Sequence, residues 1–434
     1  MDRWARFNYT PCLPIGEDGR RVTGCREHIE LSRRAAAEGT VLLKNENGLL
    51  PLKRGTRVAV FGKAQYDYVK GGGGSGEVNT EYVRNIYDGL KIKHNEGKIS
   101  LYDGLIDFYK IEMEKQYKNG AEIGETEEPI IPKELLEGAK AYTDTAIITI
   151  CRFSGEGWDR KGEPYDGDFY LSHQEEMVNT VINNFKNVIA VINAGAQTDT
   201  EWYYSNDKVS SVLYVWQGGM EGGLATADIL CGDVNPSGKL VDTFAKKFSD
   251  YPSSESFEKS KDYVKYYEDI YVGYRYFETI EKAKGRVNYP FGFGLSYTTF
   301  EIKNINVYQD GDKIKVSADV INSGNVCGKE VLQVYFSAPQ GKLGKPALEL
   351  ATFVKTPLIE PGDRKCVFAE FKIADMASYD DTGKIKKSAY VLEKGIYKFV
   401  PSQQKWTQKS FKKRNESQYF VNLLKPTAFI PRFA

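Results

Sequence analysis

No charge of either sign predominates in this sequence. Lysine and arginine number 59, aspartate and glutamate 59, and the formal net charge is zero. Long-range attraction of nucleic acid, anionic membrane or a polyanionic substrate is therefore excluded as an organising principle. Histidine is scarce, with His28, His94 and His173 the full complement, and the cysteines (Cys12, Cys25, Cys151, Cys231, Cys327, Cys366) include no CxxC pair. Neither a zinc cluster nor a dense disulfide scaffold is indicated, no cofactor or metal is expected, and a reducing compartment fits. Long hydrophobic runs are missing as well. The opening MDRWARFNYTPCLPIG has no apolar signal core, and no later run reaches the length needed to span a bilayer. The expectation is a soluble, cytoplasmic protein with no nucleic-acid or membrane partner.

What is present is length and aromatic content. A chain of 434 residues builds a sizeable core and suggests two or three domains. The 29 tyrosines and 22 phenylalanines suit a flat-ligand site such as one for carbohydrate, and equally the ordinary filling of sheets and loops.

Along the chain, IELSRRAAAEGTVLL (residues 29–43) has helical spacing with a strand-like tail. RVAVFG (57–62), TAIITICR (145–152), NVIAVINAG (187–195) and VSSVLYVWQGG (209–219) read as buried parallel strands. LSHQEEMVNTVINNF (171–185) reads as an amphipathic helix with Met177, Val178, Val181 and Ile182 on one side. Strand, loop and helix in repetition predict a mostly parallel, doubly covered α/β sheet over residues 29–250, after a short segment 1–28. Ligands gather outside the carboxyl ends of such strands. Three unusual loops follow these strands: Gly71–Gly76, Ser154–Asp168 and Gln217–Gly223. A tyrosine-rich stretch, 251–299, reads as an extended linker that packs by its rings. From Phe300 to about residue 400 short alternating strands predict a β-sandwich of fibronectin type III-like size. Residues 401–434, with the basic triplet Lys412–Arg414, read as a connector or solvated tether.

The glycine run Gly71–Gly76 has neither the Lys-Ser/Thr ending of a phosphate loop nor the spacing of a dinucleotide fingerprint. Close backbone packing against another segment is the better account. Glu156 stands between Gly155 and Gly157 in SGEG. Flanking glycines let the backbone present this carboxyl at the tip of a turn, and Trp158 offers an apolar wall that would raise its pKa, as a general acid needs. A charged loop residue is the competing account. Asp159, Arg160 and Lys161 would orient the acid or bind hydroxyls, or pair with one another on the surface. Asp166 and Asp168 suit loop ordering. His173 lacks a serine or cysteine partner motif for a catalytic dyad.

Five blocks, AAAEGTVLLKNENGLLPL (35–52), GGGSGEV (72–78), SGEGWDRKG (154–162), WQGGMEGGLATADILCGDVNPSGKLVDTF (216–244) and YPFGFGLSYTTF (289–300), occur in this order. Together they resemble the second and third domains of glycoside hydrolase family 3, the β-glucosidases and their relatives. The likeness covers residues 29–400. It implies a six-stranded α/β sandwich domain followed by a fibronectin type III-like domain. It also implies retaining hydrolysis of terminal β-D-glucosyl residues, with an aspartate nucleophile on a TIM barrel and a glutamate acid/base that maps onto Glu156. Trp158, Asp159, Arg160 and Tyr165 would line the entrance beyond the cleaved sugar. Retaining chemistry wants the two carboxyls roughly 5–5.5 Å apart, so Glu156 would reach across a domain boundary.

A barrel needs about 250 residues, and no part of the chain has its spacing, nor is there an Asp-Trp nucleophile motif. A member with reversed domain order, in which the barrel would follow Ala434, accounts for this, as a fragment, a truncated product or one half of a split enzyme. The expected partners are a small β-glucoside or oligosaccharide and a TIM-barrel chain or domain, with a homo-oligomer left open. The isolated chain is expected to be inactive. The alternative is a non-catalytic carbohydrate-binding or scaffold fragment.

Overall fold

In a computed structural model the chain divides into two compact units, Met1–Thr198 with Asn206–Gly238, and Asp199–Ser205 with Lys239–Ala434. The structure describes residues 24–158, 160–163, 168–257, 259–401, 419–423 and 427–429.

The first unit is built on a six-stranded sheet of β1 (Val41–Asn45), β2 (Thr56–Phe61), β3 (Ile99–Leu101), β4 (Thr145–Arg152), β5 (Asn187–Ala194) and β6 (Val209–Tyr214), in the order β1-β6-β5-β4-β2-β3. The pairs are parallel except for the edge strand β1, which runs antiparallel to β6. Every residue of β4 is buried, which is why its sequence reads as an unbroken apolar run instead of an alternation. The helices are α1 (Arg26–Gly39), α2 (Ile86–Asn95), α3 (Asp103–Lys118), α4 (Lys133–Tyr142), α5 (Glu175–Asn184) and α6 (Gly222–Leu230). In α5 the buried residues are Met177, Val178, Val181 and Ile182, the side predicted by the spacing. A capping box starts α2, with the Asp88 N–H donated to Asn85 at 2.8 Å and the Asn85 N–H to Asp88 at 3.2 Å. All nine residues of α6 are buried. Asp228, on α6, accepts two 2.7 Å hydrogen bonds from Arg33 of α1 and pairs with Lys93 of α2 at 2.8 Å.

The second unit opens with a two-stranded ribbon of β7 (Phe244–Ala245) and β8 (Val287–Tyr289). Between them the tyrosine-rich stretch packs by its rings. Tyr274 stacks on Phe291 at 4.6 Å, and both meet Tyr335 edge-on. The fibronectin type III-like β-sandwich follows, with strands β9 (Phe300–Asp310), β10 (Lys313–Asn322), β11 (Val331–Ser337), β12 (Glu349–Lys355), β13 (Arg364–Lys372), β14 (Ser378–Asp380), β15 (Ala389–Leu392), β16 (Gly395–Pro401), β17 (Tyr419–Leu423) and β18 (Thr427–Phe429). One sheet has the order β13-β10-β9 and another β12-β11-β16-β17, while β14-β15-β18 forms a third. Burial alternates strictly along β10, and Ile314, Val316, Ala318 and Val320 join Leu332, Val334 and Phe399 in the core. Two pieces of the stretch expected as a connector, β17 and β18, pair with β16 and β15; Lys412–Arg414 lies outside the described residues.

The mostly parallel α/β sandwich followed by a fibronectin type III-like sandwich is the architecture that the residue pattern implies. Among the described residues there is no parallel barrel, and no helix is long and apolar enough to cross a membrane.

Candidate active site

The sequence-predicted site lies where β2, β4 and β5 end. At the end of β4, Arg152 is buried and its guanidinium is spent on chain atoms. It donates to the carbonyls of Asp168 (3.0 Å), Cys151 (2.6 Å) and Tyr170 (2.7 Å), and to the side-chain oxygen of Gln174 (2.5 Å). Five donors in a rigid fork suit this task, because carbonyls of a returning loop would otherwise be buried without partners. Arg152 thereby ties residues 168–174, which lead into α5, to the end of β4. On the next strand, Asn193 of β5 accepts from the Val69 N–H (2.8 Å) and donates to the carbonyls of Val69 (2.9 Å) and Trp216 (2.6 Å). It thereby fixes the chain that leads into the glycine run.

The two loops then meet directly. The Gly73 N–H donates to the Ser154 carbonyl (3.2 Å) and the Glu156 N–H to the Gly73 carbonyl (3.3 Å), a parallel bridge of Gly73 with Gly155. A Cβ on Gly155 would stand 3.0 Å from the Gly73 Cα, and one on Gly73 would stand 2.9 Å from the Phe153 ring. Gly74 has φ +75°, and a Cβ there would lie 2.5 Å from the Glu156 Cβ. The glycine run thus serves close packing, as expected. The third loop joins at its base, where the Gly219 N–H donates to the Lys70 carbonyl (2.9 Å). Its Glu221 is buried and accepts from Tyr82 (2.5 Å) and Arg84 (3.1 Å).

Glu156 sits at the tip of the turn between Gly155 and Gly157 and is exposed. Its Oε2 accepts the Ser75 N–H at 2.9 Å, and among the described residues no lysine or arginine pairs with it. The Ser75 side chain, and after it the Ser75 N–H, hold its carboxyl below the ordinary glutamate range. The sequence suggested a carboxyl raised by an apolar wall; within this unit the opposite holds, because the Ser75 side chain and then its N–H stabilise the charge and outweigh the small desolvation that would raise it. Trp158, half exposed at 49%, rests edge-on against Phe153 at 5.5 Å. Arg160 donates to the carbonyls of Gln197 (2.8 Å) and Asp168, and burial lowers its pKa. The Asp168 N–H donates to the Lys161 carbonyl (3.1 Å) and the Asp168 carboxyl accepts the Lys161 N–H (3.2 Å), a loop-ordering arrangement. Asp159, Tyr165 and Asp166 lie outside the described residues. So Glu156 and Trp158 share one exposed turn, and Arg160 ties its loop to the chain after β5 through the carbonyls of Asp168 and Gln197.

Beside Trp158 a cavity of about 340 Å³ is lined by Lys63, Glu128, Arg152, Phe153, Ser172 and Gln174, among others. Glu128, not singled out from the sequence, is buried there and raised in pKa by burial. It accepts from the Lys63 N–H (3.0 Å), Tyr109 (2.9 Å) and Gln174 (2.9 Å). The Cys151 thiol in the same wall is pushed up to about 12 by burial, far from a reactive thiolate. Lys63, Glu128 and Arg152 in this wall are each hydrogen-bonded to protein partners, which is the pattern of a structural network. Among the described residues no cluster of histidine, cysteine, aspartate or glutamate could hold a metal ion.

A family model described as the glycosyl hydrolase family 3 C-terminal domain matches residues 40–297. The chain belongs to glycosyl hydrolase family 3. A fibronectin type III-like domain matches residues 330–401. Within the family, the chain is 52% identical to β-glucosidase A of Butyrivibrio fibrisolvens, over 92% of this chain and 52% of that protein. It is 40% identical to a β-glucosidase of Ruminococcus albus, over 86% of this chain and 39% of that protein. A β-glucosidase of Paenibacillus barengoltzii superposes with a TM-score of 0.83 at 39% identity, over 93% of this chain and 44% of that one. β-Glucosidase 3B of Thermotoga neapolitana in complex with α-D-glucose gives a TM-score of 0.82 at 35% identity, over 94% and 56%. The family 3 chain thus spans about half, or less, of the length of these relatives.

Proposed function

We propose that this chain carries the general acid/base of a retaining β-glucosidase, with Glu156 protonating the leaving-group oxygen and then deprotonating the attacking water. The observation that supports this reading is the exposed Glu156 carboxyl, paired with no lysine or arginine among the described residues and held out on a turn anchored from both sides at the carboxyl end of β4.

Hydrolysis with retention also requires a nucleophilic carboxylate within roughly 5.5 Å of the acid. Among the described residues no charged group perturbs Glu156; in this reading the nucleophile would be an aspartate of a TIM barrel. In that complex the sugar and the barrel surface desolvate Glu156, and desolvation moves a carboxyl upward toward the range in which it can donate a proton. The substrate class is a small β-glucoside or oligosaccharide, with Trp158 beside the leaving group. Arg160, through its bonds to the carbonyls of Gln197 and Asp168, would act by holding the loop, and Asp159 and Tyr165 complete the proposed entrance.

The test is to combine the chain with a family 3 barrel, as a mixed pair or a fusion, and to assay aryl β-glucosides. Expected are turnover by the pair, none by the chain alone, and loss in Glu156→Gln that is greatest for poor leaving groups, which need protonation most. Equal activity of Glu156→Gln and wild type on poor leaving groups would remove the assignment and leave a carbohydrate-binding or scaffold role.

A further inference from the structure

The glycine run Gly71–Gly76 is crowded at some positions and empty at others, and the division follows one neighbour. A Cβ on Gly72 would stand 3.1 Å from the Ser154 carbonyl, one on Gly73 would meet Phe153, and one on Gly74 would strike Glu156. At Gly71 and Gly76 nothing lies within 4 Å. Glycine is therefore required spatially only where the run faces residues 153–156. The contact is made by backbone: two hydrogen bonds between the loops and one from the Ser75 N–H to Oε2 of Glu156.

We propose that the peptide N–H of Ser75 is a positioning group for Glu156: the glycine run is a clamp that holds the carboxylate of the acid/base at a fixed resting place on the turn. This rests on the acid/base reading of Glu156 and adds a second role for the run. The clamp selects a protonation state as well as a position. A peptide N–H can only donate, so it favours the ionised carboxylate, the form that accepts a proton from water. The form that donates a proton to a leaving group is the one the clamp disfavours, so the Ser75 hydrogen bond weakens when the side chain carries the proton as acid and strengthens when it is the ionised base. Gly74, at φ +75° and without a Cβ, leaves the room in which the Glu156 stem lies.

The experiment is a titration of the Glu156 side-chain carboxyl by carbon NMR in the full chain, with Glu156→Gln used to assign the signal. The wild-type midpoint is expected below the ordinary glutamate value. Ser75→Pro, which deletes the N–H together with the hydroxyl, and Gly74→Ala, which displaces the stem, are each expected to shift it upward, and Ser75→Ala, which deletes the hydroxyl alone, is expected to shift it less than Ser75→Pro. Gly76→Ala is expected to leave it unchanged. Circular dichroism reports folding, and if Ser75→Pro does not fold, Gly74→Ala gives the same reading alone. An unshifted midpoint in Gly74→Ala and in any folded Ser75→Pro, or an equal shift in Gly76→Ala, overturns the clamp. The result is independent of turnover: the barrel assay with Glu156→Gln decides the acid/base reading, and the titration decides the clamp. In the assembled enzyme the clamp further predicts that Gly74→Ala moves the pH profile of kcat/KM as well as its height, whereas a merely structural defect lowers the height alone.

Discussion

Two exposed-looking loops, one in each unit, treat a carboxylate in opposite ways. In the second unit Asp380, at the end of β14, accepts four backbone N–H groups, from Gly383 (2.7 Å), Lys384 (3.0 Å), Ile385 (2.7 Å) and Lys386 (2.8 Å). Its acceptor capacity is used up, and it closes a turn. In the first unit Glu156 accepts one backbone N–H, that of Ser75, with the Ser75 side chain beside it, and among the described residues no other backbone donor bonds it. Both carboxyls lie below their ordinary range, Asp380 because four amides outweigh its burial and Glu156 because of Ser75. The lowered pKa does not distinguish them; the unspent lone pairs do. A carboxylate with capacity left over is one that can still meet a proton or a sugar hydroxyl.

The comparison breaks most sharply in rate. With a barrel supplied, Glu156→Gln is expected to lower kcat/KM by about 10²–10⁴-fold on poor leaving groups, the usual contribution of general acid/base catalysis, with the melting temperature unchanged. Asp380→Asn should do the reverse, lowering the melting temperature and leaving chemistry alone. A smaller effect in rate but a large one in stability is expected at the root of the Glu156 loop. Arg152→Met strips four or more acceptors of a buried partner and should cost on the order of 3 kcal/mol, measured by urea unfolding. The subtlest test is pH. Because the folded-state pKa of Asp380 is depressed, its contribution to stability is present above the unfolded value and is lost as pH falls through the folded value. Asp380→Asn should therefore flatten the acid limb of the stability curve in the sandwich; an acid limb identical to wild type would remove the role given to those four amides.

The parts of the fold that could be read from the sequence are those fixed by local pattern. Strands β2, β4, β5 and β6 are continuous apolar runs, and α5 shows its buried side at helical spacing. The strand β3 escaped because three residues carry too little pattern, and the reversed edge β1 because direction is set by partners, not by composition. The SGEG turn was legible, since glycines on both sides of a glutamate have few other uses. Its neighbours were not: Ser75 and Glu156 are 81 residues apart in sequence, and a backbone donor leaves no mark on residue type. Arg152 reads as the charged end of a strand and is instead the buried centre of the loop. Glu128 belongs to a segment between helices with no periodicity at all. For both, a polar residue at the mouth of a parallel sheet was the available signal, and it says nothing about partners.

The helix α6 has no side that faces water, and its Asp228 is gripped by Arg33 and Lys93. The first strand of the sheet, β1, finds its hydrogen-bonding partner only in the last, β6. On a translating ribosome the amino-terminal helix and strand must therefore wait, unpaired, until about two hundred residues have emerged. Nascent chains halted before residue 209 should be cut readily by protease within residues 26–45, and chains extended past residue 238 should resist.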